Sequence, residues 1–183
     1  ETGVIKHFKY NDSFLRPHLV SKCIYDFWSG SLNTETPLRS ENNFRNFLYV
    51  TEGKVKLKLI PPKYSKYLFL ENDYENYETK SKINPWNVQQ EYKAEFNKVK
   101  VLDLELEKGM LIFIPAYWLF SIKYEQISSL SIFKYRTYMN TIAILPTLIM
   151  SFLQKQNIYR KNNKNVNISK VDKSIDIKES KEN

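Results

Sequence analysis

Residue types that can bind a metal or attack a substrate are scarce in this chain. It has two histidines, His7 and His18, and one cysteine, Cys23, all near the N-terminus. A single cysteine excludes an intrachain disulfide framework and any cysteine-built zinc site. Its only nearby base is His18, five residues earlier, and a free cysteine on an apolar stripe is usually a small core hydrophobe. Four glycines cannot assemble G-x-G-x-x-G or a phosphate-cradling P-loop. Glu41 and Glu52 are carboxylates beside turns, where charges are ordinarily solvated. The residue types therefore point to binding or structural work.

The elements that would position such a site come from composition and period. With 183 residues, 42% hydrophobic and 15% aromatic, the chain can bury one sizeable core. The net charge of +8 is spread out. From Gln154 to Asn183 eight Lys/Arg stand against four Asp/Glu, so half of the excess lies in the tail. Elsewhere the lysines alternate with apolar residues, as Lys54, Lys56 and Lys58 do, the pattern of a solvated strand face. No nucleic-acid partner is expected, because such binders gather positive charge on one face or helix.

The spacing of Leu19, Cys23 and Phe27 within 17–28 predicts a short amphipathic helix. Asn46–Val50, a turn at Glu52-Gly53 and the alternation Val55, Leu57, Leu59 predict a hairpin. Residues 63–99 form a long aromatic-rich excursion. Strands follow at 101–106, at 110–115 (apolar enough for burial on both faces), at 121–124 and at 128–134. Short strands with frequent turns predict an all-β sandwich or barrel. Residues 139–153 are the most apolar stretch, shorter than the ~20 residues that span a bilayer. Pro146 within them predicts a kink or break near Ile142–Leu145. A helix here carries Ile142, Leu145, Leu148, Ile149 and Phe152 at three- and four-residue spacing and is expected to be buried against the barrel or a second subunit.

Two segments resemble the JmjC-type and cupin-like 2-oxoglutarate oxygenases, the family of the asparaginyl hydroxylase that acts on hypoxia-inducible factor. RNFLYVTEGKVKLKLIPP (45–62) is similar to that family's strand–turn–strand. LELEKGMLIFIPAYWLFSI (104–122), with Tyr117-Trp118 after Pro115, is similar to its later hairpin. Ser81, Asn84 and Trp86 sit where the family often has Ser-x-x-Asn. The stretch 133–157 resembles cupin-like proteins of giant DNA viruses. The resemblance implies a double-stranded β-helix, a jelly roll with flanking helices. It also implies an Fe(II) site made by a His-x-Asp/Glu pair and a distant histidine, because imidazole and carboxylate suit non-haem iron.

The resemblance places those ligands on Ser40, Asn42 and Phe120, none of which is His, Asp or Glu. The family's cosubstrate lysine falls on Val55, with Lys54 and Lys56 expected on the opposite strand face. A one-residue slip to use Glu41 would turn that carboxylate to the other face. Asn46, Tyr49, Tyr117 and Trp118 form a candidate pocket, and Phe120 is expected to fill the former metal position among Phe47, Tyr49 and Phe113 or their neighbours.

The reading is a non-catalytic cupin-like domain without iron or 2-oxoglutarate that acts as a binding or structural module. Two alternatives stand beside it. One is an oxygenase with an unorthodox metal site. The other is a carbohydrate- or peptide-binding module using Tyr64, Tyr67, Tyr74, Tyr77 and Trp86. Partners expected are a protein or glycan, a second copy through 139–157, and peripheral contact with a membrane. The chain divides into a three-residue remnant resembling a secretion-vector scar (1–3), a lead-in (4–36), the barrel (37–138), the apolar helix (139–157) and a basic polar tail (158–183). The remnant, with sequons at Asn11 and Asn167, predicts a lumenal, extracellular or virion-associated location.

Overall fold

The computed structural model describes residues 12–74 and 78–156. Ten strands form two facing sheets: β1 (Val20–Gly30), β2 (Arg39–Glu41), β3 (Arg45–Glu52), β4 (Lys54–Ile60), β5 (Leu70–Asp73), β6 (Glu78–Ser81), β7 (Leu102–Glu107), β8 (Leu111–Pro115), β9 (Leu119–Tyr124) and β10 (Ser128–Thr137). Four make one sheet in the order β1-β10-β3-β8, and six make the other in the order β5-β6-β2-β9-β4-β7. Every strand pair is antiparallel. This is the expected all-β jelly roll, with a one-turn helix α1 (Lys93–Phe96) on the excursion and helices α2 (Tyr138–Ala143) and α3 (145–156) after the last strand. Among the described residues no helix is long and apolar enough to cross a membrane.

The strand alternation that predicted β3 and β4 buries Leu48 and Val50 from one sheet against Val55, Leu57 and Leu59 from the other. The two strands nevertheless do not pair as a hairpin. β3 pairs with β8, and β4 pairs with β7. The turns at Gly53 and Gly109 each carry the chain from one sheet to the other. Both glycines need positive φ, +86° and +89°, a region that side chains disfavour. The two corners are laced together: Lys108 N–H donates to Gly53 O, and Gly109 N–H to Val50 O.

Three further expectations are corrected. The predicted helix at 17–28 is strand β1, whose register with β10 runs from Val20 to Gly30, so the barrel begins before residue 37. A long ladder to a central strand satisfies far more backbone than an isolated short helix, which overrides the helical spacing. Strand β8 is not buried on both faces: Leu111 and Phe113 are 43% and 46% exposed. It lies at a sheet edge, and only Ile112 and Ile114 turn inward. Strands β5 and β6 of the excursion extend the larger sheet beside β2. The rest of the excursion covers that sheet, with Tyr64, Tyr92 and Phe96 packing on Leu38, Ile60, Leu68 and Ile83.

The outer face of the smaller sheet is clamped by the N-terminal segment. Asp12, 2% exposed, accepts hydrogen bonds from the Tyr25 and Tyr135 hydroxyls at 2.6 and 2.7 Å and pairs with Arg16 at 2.7 Å. Burial alone would push the Asp12 carboxyl up, but these partners hold it below the usual range.

The predicted break near Pro146 is present. Ile144 leaves helical geometry (φ −93°, ψ 6°), and its N–H closes α2 onto Asn140 O. Pro146 then falls in the first turn of α3, where a missing N–H costs nothing. Thr137 caps α2 by accepting the Asn140 N–H.

Candidate functional site

The barrel interior has two halves. Toward the Gly53 and Gly109 corners it is filled by Val55, Leu57, Leu106, Ile122, Tyr124 and Leu130, each no more than 7% exposed. The other half, the mouth, is charged. Antiparallel register puts Lys22 beside Arg136, Ile24 beside Lys134, and Lys134 beside Asn46 on one wall. On the facing wall it puts Arg39 beside Lys80 and Glu41 beside Glu78.

Lys134 crosses this space. Its ammonium, on a side chain 9% exposed, lies 2.7 Å from Asp26 Oδ2 and 2.9 Å from Glu41 Oε1. Asn43 Nδ2 donates to the other Glu41 oxygen at 3.2 Å, and Arg136 donates to Asn43 Oδ1 at 3.1 Å. Burial alone would pull the Lys134 ammonium down, but Glu41 and Asp26 more than offset it, and the net direction is up. Nearby, Arg39 lies 3.5 Å from Glu78 Oε2, with its guanidinium 4.3 Å from the Trp28 ring. Lys80 bridges Glu78 and Asp73. A cavity of about 430 Å³ opens above this network, bordered by Asp26, Glu41, Lys134 and Arg136 and by Leu148 of α3.

The sequence-predicted residues are distributed as follows. Val55 is fully buried in the apolar half. Lys54 and Lys56 point outward, as expected, and pair with Glu105 and Glu125. Phe120 is 3% exposed and lies in one core cluster with Leu48, Val50 and Ile114, the strand neighbours of Phe47, Tyr49 and Phe113, rather than among those three rings themselves. It stacks on Trp28, with centroids 6.5 Å apart and planes at 19°, while Phe47 and Phe113 meet each other on the outer face at 5.3 Å. Alternation along β3 explains this, since Asn46, Leu48 and Val50 turn inward and Phe47 and Tyr49 turn out.

Asn46, Tyr49, Tyr117 and Trp118 therefore share no pocket. Asn46 is buried at the mouth with Oδ1 lacking a hydrogen-bond partner. Tyr49 packs near Tyr135 outside the barrel, Tyr117 is 44% exposed at positive φ, and Trp118 lies against the apolar core. The register of β2 likewise turns Arg39 and Glu41 inward rather than Ser40, and Asn42 follows the strand half-buried. Glu41 is thus not a solvated turn residue: it is 4% exposed. The inward Asp26, Lys134 and Arg136 were missed, and Glu41 was expected in solvent, because a charged interior contradicts the binary pattern. The only available signal was the like placement of opposite charges on neighbouring strands.

The excursion aromatics are also dispersed. Tyr64 is part of the second core, and Tyr67 lies under Lys66 and Lys98. Trp86 borders an outer concavity of about 590 Å³ and donates its indole N–H to Ser121 at 2.7 Å. Tyr77, the sequon asparagines Asn11 and Asn167, residues 1–3 and the tail 158–183 lie outside the described residues.

The profile of the cupin-like domain family matches residues 7–143. The chain belongs to that family. HSPB1-associated protein 1 of Rattus norvegicus is 28% identical to this cupin-like domain over 92 residues, covering 50% of this chain and 19% of that protein. The Bos taurus protein of the same name gives the same identity and coverage. The chain thus spans about a fifth of the length of these curated relatives. Among solved structures, the Drosophila melanogaster CENP-C cupin domain aligns with a TM-score of 0.37 and 11% identity, over 60% of this chain and 59% of that one. Hydroquinone 1,2-dioxygenase from Sphingomonas sp. TTNP3 gives 0.39 and 13%, over 62% and 60%.

Iron is the group that the family resemblance implies, and the donors at the mouth do not fit it. Among the described residues no three His, Cys, Asp or Glu side chains converge on a point. The two carboxylates that face each other, Asp26 and Glu41, already hold an ammonium between them, and Phe120 presents a buried ring. Among the described residues no imidazole, the ligand type suited to Fe(II), borders the mouth.

Proposed function

We propose that this cupin-like domain is a non-catalytic binding or structural module in which a fixed lysine ammonium takes over the electrostatic role of a metal ion. The observation that supports this most is the Asp26–Lys134–Glu41 bridge. It joins the two sheets at the mouth and neutralises the carboxylates that a metal would need. Val55 supplies no cation for a 2-oxoglutarate carboxylate, and the loss of such a charge-assisted partner is worth about 1.5–3 kcal/mol per hydrogen bond. The partner is a protein. The name of the rat relative itself describes association with a protein, and this chain carries apolar surface suited to one.

Purified protein should contain less than stoichiometric iron, zinc or manganese by elemental analysis. It should show no heat of binding with Fe(II) and 2-oxoglutarate together at millimolar concentration. Stoichiometric metal, or micromolar 2-oxoglutarate affinity, would favour instead an oxygenase with an unorthodox site.

A further inference from the structure

We infer that the outer face of the larger sheet carries a binding site for a neutral saccharide, separate from the mouth. The neighbouring strands β9, β4 and β7 floor a concavity of about 590 Å³, within the range of pockets that hold small ligands. Trp86, half-buried, forms one wall of it.

That wall is fixed in place. The Trp86 indole N–H donates to Ser121 Oγ at 2.7 Å, and the fully buried Ser121 hydroxyl donates on to Thr36 O at 2.6 Å. The Trp86 main-chain N–H donates to Asn84 Oδ1 at 2.9 Å. Asn84 Nδ2 in turn donates to Glu35 at 3.0 Å, and Glu35 pairs with Lys123 at 2.8 Å. The indole is thus oriented before any ligand arrives, which lowers the entropy cost of binding.

Charge selects the ligand. Lys56, Lys58 and Lys123 line the concavity with Asp103, Glu105 and Glu125, three of each sign. Each ammonium already holds a carboxylate: Lys58 holds Asp103 at 2.7 Å, Lys56 holds Glu125 at 2.6 Å, and Lys123 holds Glu35. An anion would have to displace one of these carboxylates and a cation one of the ammoniums, so neither is favoured.

The ion pairs leave hydrogen-bonding capacity unused. An ammonium has three N–H donors and a carboxylate about four lone-pair sites, and the Asp103 and Glu105 side chains are 65% and 56% exposed. Asn33, held at a φ of 63°, adds an exposed amide with no side-chain hydrogen bond to the described residues. Apolar surface is scarce by contrast. Leu57 is fully buried, so among the described lining residues Trp86 and Leu104 alone could serve as the core of a protein interface.

A sugar ring meets these conditions. Its hydroxyls both donate and accept, so they match either member of an ion pair, and its C–H face suits the negative face of an indole. That face already draws the Lys58 and Lys123 ammoniums to 4.9 and 5.8 Å from the ring centre. Their flexible stems let both turn from the ring to sugar hydroxyls.

Titration of the isotope-labelled full chain with cellotetraose, mannotetraose, chitotetraose and xylotetraose, followed by its indole N–H signals in NMR, tests this. The Trp86 signal is the one lost in Trp86→Ala. At least one of the four sugars should shift it saturably, with a dissociation constant on the order of 0.1–1 mM. Salt up to about 0.5 M should not weaken that binding, because no net charge is neutralised, and the Trp28 and Trp118 signals should stay still. In Trp86→Ala, calorimetry should show affinity reduced about tenfold. Should that variant fail to fold, Asp103→Asn, at an exposed side chain, releases Lys58. It should weaken saccharide binding and introduce salt-sensitive binding of inorganic phosphate. No shift with any of the four sugars at about 20 mM overturns the inference. So does a wild-type site that prefers inorganic phosphate, or unchanged affinity in both variants. Metal and 2-oxoglutarate play no part in this titration, so its outcome is independent of the mouth.

Discussion

Replacing Lys134 with methionine removes the ammonium while keeping the length and most of the volume of the side chain. Two carboxylates are then left facing each other across the mouth, one with a side chain 4% exposed (Glu41) and one 35% exposed (Asp26). Asp26 can recover water by a small rotation, so the cost falls mainly on Glu41. Removing one partner of a buried ion pair costs about 3–5 kcal/mol, and the partial escape of Asp26 places this variant near the lower figure. At about 2–4 °C per kcal/mol for a chain of this size, the midpoint of thermal unfolding should fall by roughly 6–12 °C. Lys134→Met/Glu41→Gln, which removes the stranded charge as well, should recover to within about 1 kcal/mol of wild type.

The pH dependence has a definite sign. In the wild type the Lys134 pKa is raised, so its contribution is fully present below the unfolded value of about 10.4 and is lost only as pH climbs through the folded value. In Lys134→Met the stranded carboxylates are relieved by protons, so the gap to wild type should narrow as pH falls toward about 4. Urea unfolding followed by circular dichroism from pH 4 to 11.5 measures both effects. A loss below about 1 kcal/mol at pH 7, or a gap independent of pH, would mean that the bridge is solvated and holds nothing.

Asp12→Ala strands two tyrosine hydroxyls and Arg16 and should cost about 2–4 kcal/mol at pH 7 by guanidinium unfolding. Because the folded Asp12 pKa is lowered, this advantage of the wild type exists above about pH 3.9 and should disappear as pH falls through the folded value. Gly53→Ala should destabilise more than Gly109→Ala. Both force a side chain to positive φ, but only the Gly53 Cβ would also meet a backbone oxygen, Ile127 O, at 2.7 Å; equal melting temperatures would refute this. Ser121→Ala removes the acceptor of the Trp86 indole and the donor to Thr36 O, for a loss of about 1–3 kcal/mol and a red shift in tryptophan emission.

Much of the barrel was legible because its apolar half obeys a period of two. Val55, Leu57 and Leu59 alternate with lysines, and all three are core residues. The turns at Gly53 and Gly109 were equally visible, but their partners were not. Local alternation cannot distinguish a hairpin from a corner that sends its two strands to different sheets. Strand β1 was illegible for a different reason. Its inward positions include Lys22 and Asp26 and its outward ones Cys23, Tyr25 and Phe27, so neither face reads as apolar against polar. The four-residue spacing of Leu19, Cys23 and Phe27 then imitates a helix. The same charged interior hid Glu41 and Lys134, so the element least readable from the sequence is the one that builds the mouth. In the C-terminal helices the break at Pro146 was legible, but which residues meet the barrel was not: Ile144 and Leu148 turn toward it, whereas Ile142, Leu145, Ile149 and Phe152 stay exposed on the described chain.

The pairing of β1 with β10 also sets an order of events during synthesis. The Ser21 hydroxyl reaches the carbonyl of Arg136, 115 residues further along the chain. At about 5–20 residues per second, a nascent β1 therefore waits roughly 6–23 s before its template leaves the ribosome. For that interval a strand carrying Cys23, Tyr25, Phe27 and Trp28 has no neighbour and offers an open edge to other chains. Ribosome-bound chains stalled before residue 128 should be cut by protease within β1, and chains extended some 40 residues past residue 137 should resist. A circular permutant that begins at β2 and carries β1 directly after β10 would turn this long-range closure into a local one and should refold faster.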